Sequence, residues 1–445
     1  MDFEELWKTV HARFDPGSPP AERGWRVDRT DRSLHRIRQR LQAPFGAPRI
    51  LLAGTVGSGK TTQMQRIAEE RAGRDLVVLF DLQRHLEGVL GDLDALESVE
   101  AWEVAVLVGL AVGRLMVDYP LWDPKRLDEL DRAWAALLPP TPEPKRVDLG
   151  KLLPGMALQA SKWVNGSWVL DTLAGALGAL SWDRRIGNAR PGGVSGLIDQ
   201  DPRIRRVLMA VNAILVEAQR LTEKRVLFCL DGLDRIRGRD RAVGLFLHSS
   251  LLGELECGLL VNAPFVLRHD VSLAEVRGFY PIFLVNEPVL DHAEPANSQR
   301  YGKGIAFFEQ LFAERVQDLV KARGPLIEPE TLRTLAWRSG GRAREFVLLV
   351  REAAALAYSE GSDVITVPIV DEVTDQRRRL LESGLHAGFV KILDEVRTNP
   401  QAPLPDDPAV SELLQLGRLL AYPNESEWFY PHPLLLSYLD RSATT

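Results

Sequence analysis

One octapeptide constrains this chain more than anything else in its 445 residues: Gly54-Thr55-Val56-Gly57-Ser58-Gly59-Lys60-Thr61 fits the pattern GxxxxGK[ST]. At ordinary residue frequencies the pattern arises by accident in a chain of this length about 1 time in 100. An apolar run, Ile50-Leu51-Leu52-Ala53, precedes it and reads as a short buried strand, while Thr62 to Arg71 read as a helix. A loop set between strand and helix turns its backbone N–H groups and the helix N-terminus toward an anion. In that arrangement Lys60 reaches the β- and γ-phosphates of a nucleoside triphosphate, the Thr61 hydroxyl ligates Mg²⁺, and Thr62 completes the phosphate-facing set. The expected ligands are ATP and Mg²⁺.

Apolar content of 45% and charged content of 26% are those of an ordinary globular protein, and the length fits two or three domains. Cys229 and Cys257 both sit in apolar surroundings, as buried free thiols do in a reducing compartment. Met1 to Val10 carries three acidic residues and no basic-then-apolar leader. The longest uncharged stretches, Ala242–Gly253 and Trp428–Leu439, are short of the roughly 18 residues a membrane helix needs. A soluble, cytoplasmic protein with no membrane partner is expected. A net charge of −6 gives no global bias toward nucleic acid.

Further apolar runs end in or near polar residues: Leu76–Phe80 before Asp81, Val226–Leu230 before Asp231, Leu259–Val266, and Ile282–Val285. Helical spacing appears at Ser33–Leu41, Glu97–Val117 and Ile204–Leu221, the last with apolar residues at 204, 207, 208, 211, 214, 215 and 218. Alternating strands and helices imply a parallel sheet covered on both faces. Five prolines mark a linker at Leu138–Pro154, and Gly155–Gly193 is rich in glycine and tryptophan. From about residue 300 the character is helical: Ala306–Lys321, Glu328–Ser339 and Arg342–Ser359. Short strand-like runs at Val364–Val367 and Glu427–Tyr430 follow among helices. The domains expected are an N-terminal helical segment (1–47), a P-loop ATPase domain (48–299) with an insertion at about 138–200, a helical lid (300–360) and a winged-helix-like domain (361–445). The fold class is thus α/β: a P-loop NTPase parallel sheet with flanking helices, then a helical lid and a winged-helix-like C-terminal domain.

The strand Val226-Leu227-Phe228-Cys229-Leu230 ends in Asp231-Gly232-Leu233-Asp234. A buried strand ending in an acid delivers a carboxylate for Mg²⁺ beside the phosphates, which makes Asp231 the candidate metal acid. Asp234 either orients or deprotonates the attacking water or caps the following segment. Asn262, in Leu259-Leu260-Val261-Asn262, reads by itself as a polar residue ending a strand before Pro264; resemblance to AAA+ type ATPases implies instead a polar sensor of the γ-phosphate there, with Arg268 a weaker candidate for the same duty.

The Asp-Gly-hydrophobic-Asp form resembles the NACHT and NB-ARC group of signal-transduction ATPases, called STAND, and the origin-recognition-like AAA+ branch. The resemblance covers about residues 48 to 360, and the C-terminal domain more loosely. Most additional-strand ATPases carry a Glu directly after the metal acid. Gly232 stands there instead, which implies slow hydrolysis. In Ser339-Gly340-Gly341-Arg342-Ala343-Arg344 the resemblance places Arg344 as the second sensor, an arginine that reads the γ-phosphate; the plain alternative is a glycine turn with solvent-facing arginines. His432 lies where STAND winged helices carry a His-Asp pair on the bound diphosphate, but Pro433 replaces the Asp, and a structural histidine is the alternative.

Residues 361–445 hold seven Lys/Arg against thirteen Asp/Glu, and Arg377-Arg378-Arg379 is ringed by Asp371, Glu372, Asp375 and Glu382. DNA-reading winged helices depend on phosphate neutralisation, so a protein-facing domain is expected over a nucleic-acid reader. The function expected is an ATP-binding, slowly hydrolysing switch ATPase that controls assembly or a partner protein, in bacterial signalling or defence. The alternative is an AAA+ type ATPase acting on DNA-bound complexes, as a loader or a transposition or replication regulator.

Overall fold

The computed structural model describes residues 2–17, 25–29, 32–43, 46–82, 99–137, 198–236, 238–270, 273, 276, 278–423 and 427–442. The proline-rich linker and nearly all of the expected insertion lie outside them. In chain order the elements are α1 (Phe3–Arg13), α2 (Ser33–Gln42), β1 (Arg49–Gly54), α3 (Lys60–Arg71), β2 (Leu76–Asp81), α4 (Ala101–Met116), α5 (Lys125–Ala135), α6 (Pro202–Thr222), β3 (Val226–Asp231) and α7 (Arg239–Val243). They continue with β4 (Gly258–Pro264), β5 (Tyr280–Leu284), α8 (Ile305–Arg323), α9 (Pro329–Arg338), α10 (Ala343–Ser359) and α11 (Val367–Glu382). The chain closes with α12 (Ala387–Thr398), α13 (Pro408–Gln415), β6 (Leu419–Tyr422), β7 (Trp428–Pro431) and α14 (Leu436–Ser442). The architecture is a P-loop-type parallel sheet with flanking helices, a helical segment and a winged-helix-like end.

The chain divides into two compact units. One comprises His35–Ala53 and Gln63–Ile282; the other comprises Met1–Leu34, Gly54–Thr62 and Phe283–Thr445. The five-stranded sheet runs β2-β3-β4-β1-β5, so one strand, β4, stands between the strand that feeds the phosphate loop and the strand that ends in Asp231. β2 pairs parallel with β3 in a register that sets Asp81 opposite Asp231, and β3 pairs parallel with β4. Every residue of β3 and β4 is buried, which is why these strands read as unbroken apolar runs instead of alternating ones. α6 buries Ile204, Val207, Leu208, Val211, Ile214, Leu215 and Ala218, the stripe its spacing predicts. Its start is fixed by the Asp201 side chain accepting from Arg203 N and by Pro202 in the first turn.

The other unit has a core of its own. Leu6, Trp7 and Val10 of α1, and Phe14 just after it, pack with Phe308 and Phe312 of α8, Phe346 and Val350 of α10, Ile369 of α11, and Tyr422 and Trp428 of β6 and β7. α1 is tied down further by Arg351, which donates to Asp15 at 2.7 Å, and by the Trp7 indole, which donates to Ser362 O at 3.0 Å. Val364–Val367, read as a strand, forms a single bridge from Ile365 to Ile327, and Val367 already opens α11, with Pro368 in its first turn. The hairpin strand β6 carried no sequence signal of its own and pairs antiparallel with β7 from Leu419↔Pro431 to Tyr422↔Trp428.

The turn between α9 and α10 has Gly340 and Gly341 at φ of 63° and 77°. A Cβ on Gly341 would lie 2.0 Å from the Glu287 carbonyl oxygen, so the helix approaches that backbone only because glycine is there. Gly361 has a similar φ of 69° with nothing within 4 Å. Gly361→Ala should cost about 1 kcal/mol, the left-handed penalty alone. Gly341→Ala should cost about 3 kcal/mol or more, because strain and clash combine. Urea unfolding of the two variants measures the gap directly.

Candidate functional site

β1 delivers the chain into the phosphate loop at Gly54, and α3 begins at Lys60, so the strand–loop–helix order expected from sequence is present. Gly57 and Gly59 adopt φ of 85° and 92°, and Ser58 N donates to Thr55 O at 3.2 Å. Lys60 is buried and its ammonium donates to the carbonyls of Gly54 at 2.7 Å and Thr55 at 3.1 Å. The Ser58 hydroxyl is buried with no partner among the described residues. Thr61 is exposed and Thr62 half-buried. Glycines held at positive φ, a lysine at the mouth of the loop and an unsatisfied buried donor together fit a phosphate chain.

Three residues that the sequence reading left out hold this loop within its unit. Arg342 donates from Nε at 3.2 Å and Nη2 at 2.9 Å to the Val56 carbonyl. Arg29 donates to Ser58 O and to Val285 O, each at 2.5 Å, and lies 3.3 Å from the Glu287 carboxylate. Asn286 accepts from the Thr55 hydroxyl at 3.1 Å while its own N–H donates to Ala421 O at 2.9 Å. Thr55 and Val56 are thereby tied to side chains more than 200 positions away along the chain. Arg344, the expected sensor, has its side chain exposed, and its backbone N–H lies 3.4 Å from Gly57 O.

Arg342 is deeply buried, and burial lowers its affinity for a proton. Its nearest carboxylate is Glu345, 4.0 Å away. Burial would raise the Glu345 carboxyl, but two bonds from Arg377, at 2.5 and 2.9 Å, with His432 and Arg342 nearby, hold it below the ordinary carboxylate range. His432 is fully buried; burial, opposed by Glu345 and helped by Arg342 and Arg377, pushes its imidazole down to about 3. Its Nδ1 accepts from Leu434 N at 3.3 Å, as the cap of the turn that starts at Pro433, and its Nε2 has no partner among the described residues.

The sheet unit carries the remaining expected residues. Asp231 accepts from Asn262 Nδ2 at 2.5 Å and from Gly232 N at 2.8 Å, both at Oδ1. Asn262 is fully buried on β4, so β3 and β4 bring the acid and the amide together. The bond orients the carboxylate, and Oδ2 has no hydrogen bond among the described residues. Asp234 lies inside the one-turn 3₁₀ helix Leu233–Arg235. It does not cap the next helix, α7, whose cap is Gly238. Arg268 is exposed in a 3₁₀ turn after β4.

No protein-family model and no curated protein sequence matches the chain. Among solved structures it is similar to Cdc6p from Pyrobaculum aerophilum (14% identity, 98% of each chain, TM-score 0.40). It is also similar to the Aeropyrum pernix ORC2 protein in ADPNP–ADP complexes (14%, 97% of this chain and 98% of that one, TM-score 0.37). A third similarity is to the Aeropyrum pernix ORC1 protein in complex with DNA (12%, 98% and 96%, TM-score 0.34). Likeness this loose fixes neither family nor activity.

The titration of His432 makes a stability prediction. Its folded pKa of about 3 lies below the ordinary 6.5, so the unfolded chain binds the extra proton between those values. Stability contributed by this residue is therefore present above pH 6.5 and lost as pH falls toward 3. His432→Asn keeps an acceptor for Leu434 N and removes the titration. Its unfolding free energy should fall less steeply than wild type between pH 6.5 and 4, by up to about 1.4 kcal/mol per pH unit, measured by urea titration.

Proposed function

We propose that this protein is a P-loop ATPase that binds ATP–Mg²⁺ on the loop Gly54–Thr61. Lys60 contacts the β- and γ-phosphates, Thr61 and Asp231 hold Mg²⁺, Asn262 orients Asp231, and Asp234 orients the attacking water. Bound Mg²⁺ would neutralise charge on the phosphate oxygens. The observation that carries the reading is the loop itself. Gly57 and Gly59 are in the left-handed region, the loop lysine is buried against loop carbonyls, and the Val56 carbonyl is gripped by Arg342 at the start of α10.

Two uses of that ATP follow from different observations. The grip of a helix N-terminus on the loop supports a switch, in which the presence of the γ-phosphate at Arg344 biases one arrangement of the α8–α11 helices and a partner or a second copy responds. Arg377 is spent on Glu345, Arg378 on Asp375 and Glu382, and Arg379 on Asp375, so the one basic cluster of the C-terminal domain is already paired. The second use is work on DNA-bound complexes. It is supported only by the names of the loosely similar structures, one of which is an ORC1 protein bound to DNA.

Lys60→Ala should abolish ATP binding measured by calorimetry, and tight residual binding would sink the assignment of the loop. Asp234→Ala should leave binding near wild type and cut turnover about 100-fold, the weight of a positioned acid–base group; surviving turnover moves the water-orienting role elsewhere. Light scattering after size exclusion, in ADP against a non-hydrolysable ATP analogue, tests the switch: nucleotide-dependent assembly supports it. Turnover that rises on adding duplex DNA, and loses that rise steeply with salt, supports the DNA reading instead.

A further inference from the structure

Arg342 and Glu345 are buried, and half-buried Arg377 joins them in a charged triad. Arg342 is the residue after Gly341, Glu345 lies in the first turn of α10, and Arg377 comes from α11. Summed as ionised groups, two guanidinium ions and one carboxylate leave one net positive charge. The carboxylate is engaged by Arg377 at 2.5 and 2.9 Å and stands 4.0 Å from Arg342, so the excess charge resides at Arg342. That guanidinium is packed closely against Gly417, where a Cβ would be 2.3 Å from its Nη1. Its two donations converge on one acceptor, Val56 O.

The consequence comes from peptide geometry. A trans peptide points its C=O and N–H in opposite directions. With Val56 O held by Arg342, the N–H of Gly57 is fixed facing away from the guanidinium. The following peptide is held in the same way, because Gly57 O lies 3.4 Å from Arg344 N while Ser58 N turns back to Thr55 O at 3.2 Å. Two consecutive peptide units of the loop are thus set by the start of α10. Loop N–H groups bind phosphate best when their directions are fixed beforehand.

We propose that Arg342 is the positioning residue of the phosphate loop, that it aims the Gly57 N–H at bound phosphate, and that Arg377 on α11 sets Arg342 through Glu345. This rests on the nucleotide-binding reading and adds to it a path by which α11 is coupled to the loop. Arg342 acts on the shape of the loop, so ADP and ATP should feel its loss equally, whereas a γ-phosphate sensor would discriminate between them.

The test is calorimetry of the full chain with Mg·ADP and Mg·AMP-PNP. Arg342→Ala should weaken both nucleotides by a similar factor of about 10 or more, the scale of a lost charge-assisted bond. Arg342→Lys should recover part of the loss, and its affinity should fall relative to wild type between pH 7.5 and 9.5, because a buried ammonium surrenders its proton where a guanidinium does not. A structural role alone would not produce that pH dependence. Arg377→Met should weaken binding severalfold alone and add nothing to Arg342→Ala. Binding by Arg342→Ala within about twofold of wild type would overturn the proposal, as would a pH-independent Lys variant or a fully additive double variant. If Arg342→Ala does not fold, the pH profile of the Lys variant decides. A wild-type chain that takes up neither nucleotide defeats the binding reading first, and is recognisable as that failure.

Discussion

Arg342 places a buried guanidinium against a single carbonyl of the phosphate loop, and the surrounding elements are arranged so that it can. Gly340 and Gly341 turn the chain sharply enough to start α10 there, and Tyr422 braces the turn by donating to Gly340 O at 2.9 Å. Gly417 leaves room for the guanidinium, since a Cβ there would lie 2.3 Å from its Nη1. Glu345 keeps a carboxylate near enough to offset part of the charge, and Arg377 keeps that carboxylate ionised. Remove the arginine and the Val56 carbonyl loses its donor, while Glu345 and Arg377 keep a geometry that no longer serves the loop.

The segment after β5 is the second support. Val285, Asn286 and Glu287 present, in consecutive residues, a carbonyl for Arg29, a side-chain acceptor for Thr55 and a carboxylate near Arg29. The backbone N–H groups of Asn286 and Glu287 donate to Ala421 and Gly341. One short stretch thereby meets the phosphate loop, the α9–α10 turn and the hairpin. A displacement of the loop on ligand binding would be felt by all three, the physical requirement for a nucleotide-dependent conformational change.

Features with a local chemical signature could be read from sequence. The phosphate loop, the apolar strands that carry Asp231 and Asn262, the buried stripe of α6 and the Gly340-Gly341 turn each declare themselves within a few residues. Arg342 lies inside the same motif as Arg344, and nothing local says which guanidinium turns inward onto the loop. Arg29 and Asn286 were missed because side-chain bonds to distant residues leave no periodicity. Val364–Val367 looked like a strand because its β-branched residues favour one, but Thr366 and Pro368 are what a helix start needs, and α11 begins there.

The central claim is that the phosphate loop and the start of α10 respond to nucleotide as one element. Amide hydrogen exchange followed by mass spectrometry on peptides covering 54–62 and 339–346, in ADP, in a non-hydrolysable ATP analogue and without nucleotide, tests it most directly. Slowed exchange is expected in both peptides with either nucleotide, and further slowing in 339–346 with the ATP analogue. Protection confined to 54–62, with 339–346 exchanging as it does without nucleotide, would contradict it.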